Sequence, residues 1–304
     1  MEIIDISGIP QNYKAYGGAS CRKVGITFQG KNYLMKLPGS LKARQLKNID
    51  LSYSNGPICE YIGSHIYEFL DIPVHHTMLA MRDDKIVVLC EDFLQNGKTL
   101  FEFNKIKVTF EPAFINSKGE ETDGLGSSLP EALLVLGQHP FFRQVTGATE
   151  RFWEMFVVDA FIGNPDRNNG NWGVISTNGA LELAPVYDNG NCLNDKWDDL
   201  KMQTFLQNES SLYNEAYKGN VCYYTDSRGK KINPFQLIAS GKYVMCTNAL
   251  HTIISRIQFD KIESFLQELS ILTSTQRAYY LTILKLRLQY LQDIDQNLSG
   301  TCLN

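Results

Sequence analysis

Gly163-Asn164-Pro165-Asp166-Arg167-Asn168-Asn169-Gly170-Asn171-Trp172-Gly173 follows directly on an oily segment, Phe152–Ile162, FWEMFVVDAFI. From Thr149 onward, Phe152, Trp153, Phe156, Val157, Ala160 and Phe161 recur at helical spacing and predict one wide buried face. Gly163-Asn164-Pro165 cannot continue that helix. The chain then leaves its core and places a carboxylate, a guanidinium and a series of amides on one loop. Gly170 lets the backbone fold so that Asp166 and Asn171 point into one space. A carboxylate orients and accepts a proton from a hydroxyl, and an amide oxygen is a hard ligand suited to Mg2+. The competing reading is an ordinary tight connection.

Working outward, two strands are predicted at residues 172–176 and 181–184, turned at Asn178-Gly179. They lead into Pro185-Val186-Tyr187-Asp188-Asn189-Gly190. Asp188 closes a hairpin whose start is the Asn171 loop, so the two are expected to be neighbours. One Asp and one Asn as oxygen ligands make a Mg2+–nucleotide arrangement, although Asp-Asn-Gly alone reads equally as a turn. Arg167 fits either a structural ion pair or a phosphate contact, and Trp172 and Tyr187 are expected in the core. Amphipathic helices are predicted at residues 260–271 and 275–296.

The N-terminal part has a different character. Residues 24–29 and 32–37 read as a hairpin turned at Gly30-Lys31, and residues 74–81 and 85–90 as a second one turned at Asp83-Asp84. Between them, residues 56–70 place Ile58, Ile62, Ile66 and Phe69 on one helical face, capped at Asn55. Lys36 lies inside the apolar strand YLMKLPG, where burying an unpaired ammonium is costly. Alternation puts it on the side of Leu34, and Glu60 lies on the only helix nearby. A strand lysine held by a helix glutamate can grip nucleotide phosphates, while an edge-strand lysine that snorkels to water is the simpler reading. Gly17-Gly18-Ala19-Ser20, just before the first hairpin, can cover phosphates with backbone amides or form an ordinary turn.

The totals exclude several classes. A length of 304 residues with 43% hydrophobic and 20% charged residues fits a soluble globular chain of one large domain or two lobes. A net charge of −4 offers no electrostatic case for nucleic acid or an anionic membrane, and Arg228-Gly229-Lys230-Lys231 reads as a solvated turn. No apolar run reaches spanning length, and MEIIDISGIP shows no secretory signal. Seven cysteines without a CxxC pair fit reduced thiols. His75-His76 has no carboxylate or thiol at ligand spacing in the sequence. Residues 116–128 are polar and Gly-rich and read as a surface loop.

Taken in order, GGAS (17–20), YLMKLPG (33–39), CEY (59–61), VVLCEDF (87–93), FIGNPDRNNGNWG (161–173) and LAPVYDNG (183–190) resemble the HipA-type serine/threonine kinases. The layout is closest to the short, CtkA-like members, which lack the extra N-terminal subdomain. The resemblance covers roughly residues 15–295, with the stretch 95–145 and the C-terminal helices matching in character only. It implies an α+β, bilobal protein-kinase-like fold: a small β-rich N-lobe over residues 1–93 and a larger, mainly helical C-lobe over residues 94–304, with a ligand expected in the cleft between them. It implies ATP and Mg2+ as cofactors. Lys36 would pair with the phosphates and Glu60 would steady it. Asp166 would be the catalytic base, and Asn171 and Asp188 the metal ligands. Gly17, Gly18 and Ser20 would cover the phosphates, and Glu91, Asp92 and Phe93 would meet adenine through backbone groups, near Val88 and Cys90.

The acceptor implied is a protein serine or threonine hydroxyl, with Ser20 as a candidate for autophosphorylation and a HipB-like antitoxin as partner. No direct nucleic-acid or membrane role is expected, and a bacterial cytosolic location is, with export as an effector left open. A phosphoinositide-like or small-molecule kinase and a non-catalytic, toxin-like ATP-binding module remain as alternatives. One position departs from the family pattern: Asn168 stands where these kinases usually have a histidine after Asp-Arg.

Overall fold

The computed structural model describes residues 3–14, 16, 23–40, 54–95, 97–110, 114–115, 121–122 and 126–301. In chain order the main elements begin with β1 (Ile4–Asp5), β2 (Gln11–Asn12), β3 (Lys23–Phe28), β4 (Lys31–Lys36), α1 (Gly56–Phe69), β5 (Thr77–Arg82), β6 (Lys85–Glu91), β7 (Thr99–Glu102) and α2 (Phe103–Lys107). They continue with β8 (Phe114–Ile115), β9 (Glu121–Thr122), α3 (Leu129–Gln138), α4 (Ala148–Ile162), β10 (Gly173–Thr177), β11 (Ala180–Leu183), α5 (Asp199–Leu206), α6 (Glu209–Tyr213), α7 (Pro234–Ala239), α8 (Val244–Arg256), α9 (Phe259–Glu268) and α10 (Ser274–Thr301). The fold is α+β. By contacts it divides into two compact units, Met1–Phe93 with Tyr187–Leu212 and Gln258–Leu284, and Leu94–Val186 with Tyr213–Ile257 and Lys285–Asn304.

The first unit is built on a six-stranded sheet of order β1-β5-β6-β4-β3-β2. Ile26, Tyr33, Met35, Ala80, Val87 and Leu89 bury one face of it together with Ile6. The alternate positions face the other way, and α1 packs on β5 and β6. Lys36 therefore shares its side with Leu34, as the period of two requires. The β3–β4 turn falls at Gln29-Gly30, with φ of 48° and 76°, one residue before the expected Gly30-Lys31. A two-residue turn with both φ positive keeps Lys31 inside the ladder opposite Phe28 and so sets Lys36 opposite Lys23. Asp83-Asp84 does turn the second hairpin, with φ of 49° and 58°, and its first strand starts at Thr77 rather than at residue 74.

Asn55 precedes α1 without capping it by its side chain, which donates instead to the Trp197 carbonyl at 3.0 Å. Gly63 on α1 is needed for close approach. A Cβ there would lie 3.0 Å from the Asn189 Cβ and 3.1 Å from the Cys192 Sγ, so glycine lets the segment after Asp188 lie on the helix.

In the second unit, α4 buries Phe152, Trp153, Phe156, Val157, Ala160 and Phe161, as the helical spacing predicts. It ends at Gly163, left-handed at φ 68°, where a Cβ would sit 2.3 Å from the buried Arg287 guanidinium. The β10–β11 hairpin turns at Asn178-Gly179 as expected. The sequence reading missed β7, which adds to β10 as the third strand of a sheet ordered β11-β10-β7. It also missed the short β8–β9 pairing across what reads as a polar loop. Trp172 is buried and stacks on Phe103 at 4.2 Å, whereas Tyr187 is only half-buried, against Phe93 in the first unit.

Candidate active site

Within the first unit, Lys36 ends strand β4 with its side chain on the α1 side. Its Nζ donates to Glu60 Oε2 at 2.7 Å and to Asp188 Oδ1 at 2.7 Å. Glu60 is fully buried on α1, and its Oε1 accepts from the Asn189 amide at 3.0 Å and lies 2.9 Å from His75 Nε2. Ser64 extends the network, 3.2 Å from His75 Nε2 and accepting from Asn189 Nδ2 at 3.0 Å. Burial opposes charge on Glu60, yet Lys36 and then His75 hold its carboxyl far below the usual carboxylate range. Burial likewise acts against the Lys36 ammonium, and the Asp188 and Glu60 carboxylates overcome it and push the lysine well above its ordinary value.

Asp188 sits at φ 61°, a left-handed conformation that Asp tolerates better than most residues. The turn aims its carboxylate at Lys36 while Asn189 and Cys192 hold the flanking backbone on α1. Burial opposes its ionisation, and Lys36 outweighs that and lowers its carboxyl below the ordinary value. Its side chain keeps 21% exposure against 0% for Glu60. Of the two carboxylates on Lys36, Asp188 is thus the one an incoming cation could reach, and its charge suits a hard divalent ion.

Two further residues join Lys36 and Asp188 without a sequence signal. Lys23 lies 3.5 Å from Asp188 Oδ2; strand register brings it there, and register is not written in local composition. His75 reaches Glu60 from the segment before β5. Together Glu60, His75 and Cys90 bring ligand-type atoms within 4.8 Å of one another, so the third dimension supplies the carboxylate and thiol that spacing around His75 lacks. The Glu60 oxygens are taken by Lys36, His75 and Asn189, and burial drives the Cys90 thiol far up, which makes this group a polar core rather than a metal cage.

At the end of β6, the Glu91 amide donates to the His76 carbonyl at 2.8 Å and the Asp92 amide to the Asn32 carbonyl at 2.9 Å. The Asp92 carboxylate is buried and accepts from Lys14 Nζ and from the Tyr16 hydroxyl at 2.8 Å. Burial and that hydrogen bond push the Tyr16 phenol well up. Glu91 pairs with Lys31 at 2.9 Å. Gly17, Gly18 and Ser20 lie outside the described residues.

In the second unit each amide of the polar loop has a task. Asn164 accepts from the Asp166 amide at 3.1 Å and donates to Asp159 Oδ1 at 3.1 Å. Arg167 is buried and forks onto Asp159, Nε to Oδ2 at 2.8 Å and Nη2 to Oδ1 at 3.1 Å, while Nη1 donates to the Asn171 carbonyl at 3.1 Å. That settles Arg167 as a structural ion pair between α4 and its own loop. Asn168 donates to Asp166 Oδ1 at 3.2 Å and accepts from the Gly170 amide at 2.8 Å. Asn169 is clamped between the Gly126 carbonyl at 3.2 Å and the Tyr224 hydroxyl at 3.1 Å. Asn171 Nδ2 donates to the Asp166 carbonyl at 2.8 Å, which leaves its amide oxygen, the metal-type ligand, turned to the other side. Tyr223 neighbours the loop unannounced by sequence, its phenol raised by burial and then by the Asp166 charge.

No family model matches the chain. It is 29% identical over 283 residues to a serine/threonine-protein kinase, CtkA, of Helicobacter pylori, covering 92% of this chain and 83% of that protein. The crystal structure of the Helicobacter pylori proinflammatory kinase CtkA superposes with a TM-score of 0.85 at 28% identity over 99% of each chain. HipA of Shewanella oneidensis, solved with HipB and operator DNA, shares the fold with a TM-score of 0.58 at 12% identity over 97% of this chain and 69% of that one. The chain is thus an enzyme of the kinase class. In sequence and in fold it resembles the HipA-like kinases.

Proposed function

We propose that the chain is an ATP- and Mg2+-dependent kinase that transfers the γ-phosphoryl group to a protein serine or threonine hydroxyl. The observation that carries this reading is the Lys36 ammonium, 5% exposed and bonded at once to a helix carboxylate and to Asp188. A buried lysine so paired is costly to assemble, and it presents a fixed positive charge that suits phosphate oxygens.

In this reading Glu60 keeps Lys36 extended and charged, and Lys36 binds the α- and β-phosphates. Asp188 and the Asn171 amide oxygen hold Mg2+, which when bound neutralises phosphate charge. Asp166, its backbone fastened by Asn164 and Asn171, orients the acceptor hydroxyl and takes its proton. Gly17, Gly18 and Ser20 cover the phosphates. Adenine meets the Glu91–Phe93 stretch through backbone atoms other than the Glu91 and Asp92 amides, which are already bonded. The N-lobe of residues 1–93 and C-lobe of residues 94–304 belong to the same proposal, as do autophosphorylation, a HipB-like partner and a cytosolic location. Among the described residues no helix is long and apolar enough to cross a membrane.

Intact-mass analysis after incubation with ATP and Mg2+ tests the reading, together with ATP titration of Asp188→Ala. A step of about 80 Da per phosphoryl group, and loss of Mg2+-dependent ATP binding in the variant with its fold retained, are expected. ATP binding without transfer to this chain or to any protein or lipid acceptor identifies a binding module instead. Unchanged Mg2+-dependent binding in Asp188→Ala overturns the metal assignment.

A further inference from the structure

We propose that Lys23 is a second phosphate-gripping lysine, paired across the β3–β4 ladder with Lys36 and completing the cationic floor of the nucleotide site. The proposal rests on the nucleotide reading of Lys36 and extends it to a residue that no sequence motif marks.

Lys23 and Lys36 are direct partners in the ladder, so their side chains leave the sheet on the same face. Val24, the next residue on β3, packs into the apolar cluster of the opposite face. Two ammonium groups side by side on neighbouring strands repel each other. Both converge on Asp188, yet unequally. Lys36 takes Oδ1 at 2.7 Å and has Glu60 besides, whereas Lys23 stands 3.5 Å from Oδ2, beyond a hydrogen bond. Among the described residues Asp188 is its only ion-pair partner.

The Lys23 side chain is nonetheless only 8% exposed. An ammonium withdrawn this far from water needs acceptors for its protons. Asp188 cannot supply them all, because its other oxygen serves Lys36. When that carboxylate also turns to a divalent cation, the shortfall at Lys23 grows. Among the described residues nothing fills that shortfall, and the partner it calls for is an anion offering several oxygens on the α1 side of the sheet at the head of β3, beside Lys36, which is the chemistry of a polyphosphate chain. A carboxylate ligand has too few oxygens to serve both lysines and a cation at once, and a neutral ligand leaves the charge that a divalent cation adds to this balanced cluster unanswered.

The alternative is that Lys23 only offsets the charge of Asp188 in the empty protein. Titration of the full chain with a fluorescent N-methylanthraniloyl ATP in Mg2+ separates the two, using Lys23→Met, Lys23→Arg and Lys36→Met. Displacement by adenosine and the thermal shift given by inorganic tripolyphosphate are measured on the same proteins. We expect Lys23→Met to weaken the nucleotide by about 10- to 100-fold, the scale of a lost charge-assisted bond. It should abolish the tripolyphosphate shift and leave adenosine displacement unchanged, and Lys23→Arg should recover most of the affinity. If Lys36→Met weakens ATP while Lys23→Met binds it as wild type does, the inference about Lys23 is wrong and the nucleotide reading stands. If neither variant changes ATP binding, the nucleotide reading itself fails. Equal loss of ATP and adenosine in Lys23→Met marks a structural role and also overturns the inference.

Discussion

Replacing Glu60 by glutamine is the perturbation whose outcome the structure constrains best. The substitution keeps shape and volume, removes one charge and exchanges one acceptor oxygen for a donor nitrogen. Both carboxylate oxygens are in use: Oε2 receives Lys36 at 2.7 Å, and Oε1 receives the Asn189 amide at 3.0 Å and meets His75 Nε2 at 2.9 Å. Either orientation of the new amide therefore points its NH2 at a donor. Removing one partner of a buried pair generally costs about 3–5 kcal/mol. Lys36 retains Asp188 at 2.7 Å, which places the cost near the lower end, about 3 kcal/mol. For a chain of this size that corresponds to a fall in Tm of about 5 °C. Lys36 is also expected to swing fully onto Asp188, so ATP binding and turnover both drop. Urea unfolding and a thermal melt read the first effect, and ATP titration reads the second. A Glu60→Gln protein that melts within about 1 °C of wild type and binds ATP equally well would show that the buried network does not act as one unit.

Three further outcomes follow from other contacts. The Glu60 carboxyl is depressed below its ordinary value of 4.5, so its contribution is fully present above that pH and is lost as pH falls; the urea midpoint of wild type should fall more steeply than that of Glu60→Gln between about pH 5 and pH 3. Asn168→Asp keeps an acceptor for the Gly170 amide and sets a carboxylate against Asp166 in place of a donor, so turnover should fall about 10- to 100-fold with ATP affinity unchanged; turnover like wild type would remove Asn168 from the positioning of Asp166. Gly163→Ala forces alanine into φ 68° and its Cβ to 2.3 Å from the Arg287 guanidinium, which should destabilise the fold by about 3 kcal/mol in urea unfolding; a loss below about 1 kcal/mol would mean that Arg287 moves aside freely.

Periodicity made the helices around Phe156 and Ile62 and the three hairpins legible, because core faces repeat at fixed intervals. The Lys36–Glu60 pair was legible as well, since a lysine in an oily strand needs a partner and α1 offers one acid on the facing side. Asp188 was read as a neighbour of Asn171 and was never linked to Lys36, because nothing local joins a strand lysine to a turn 152 residues further on. Lys23 and His75 stayed hidden because ladder register and tertiary packing bring them in. The one-residue shift of the first turn has the same origin: glycine marks a turn, but Gln29 shares its left-handed conformation unannounced. Asn55 looked like a cap and spends its amide on Trp197, a partner far along the chain. In the loop at residues 163–173, composition showed an excess of amides, and only the folded chain shows that Asn164, Asn168, Asn169 and Asn171 each bind a particular neighbour.

Phosphoryl transfer by this chain should depend on Asp166 and on Mg2+. It is tested most directly by incubating the chain, alone and with a protein acceptor, with ATP labelled at either the γ- or the α-phosphorus. Wild type is compared with Asp166→Ala, in Mg2+ and in EDTA. Protein-bound label is expected from γ-labelled ATP only, recovered on serine or threonine, and absent in EDTA and in the variant. Incorporation from α-labelled ATP, or undiminished γ-label in Asp166→Ala, would contradict it.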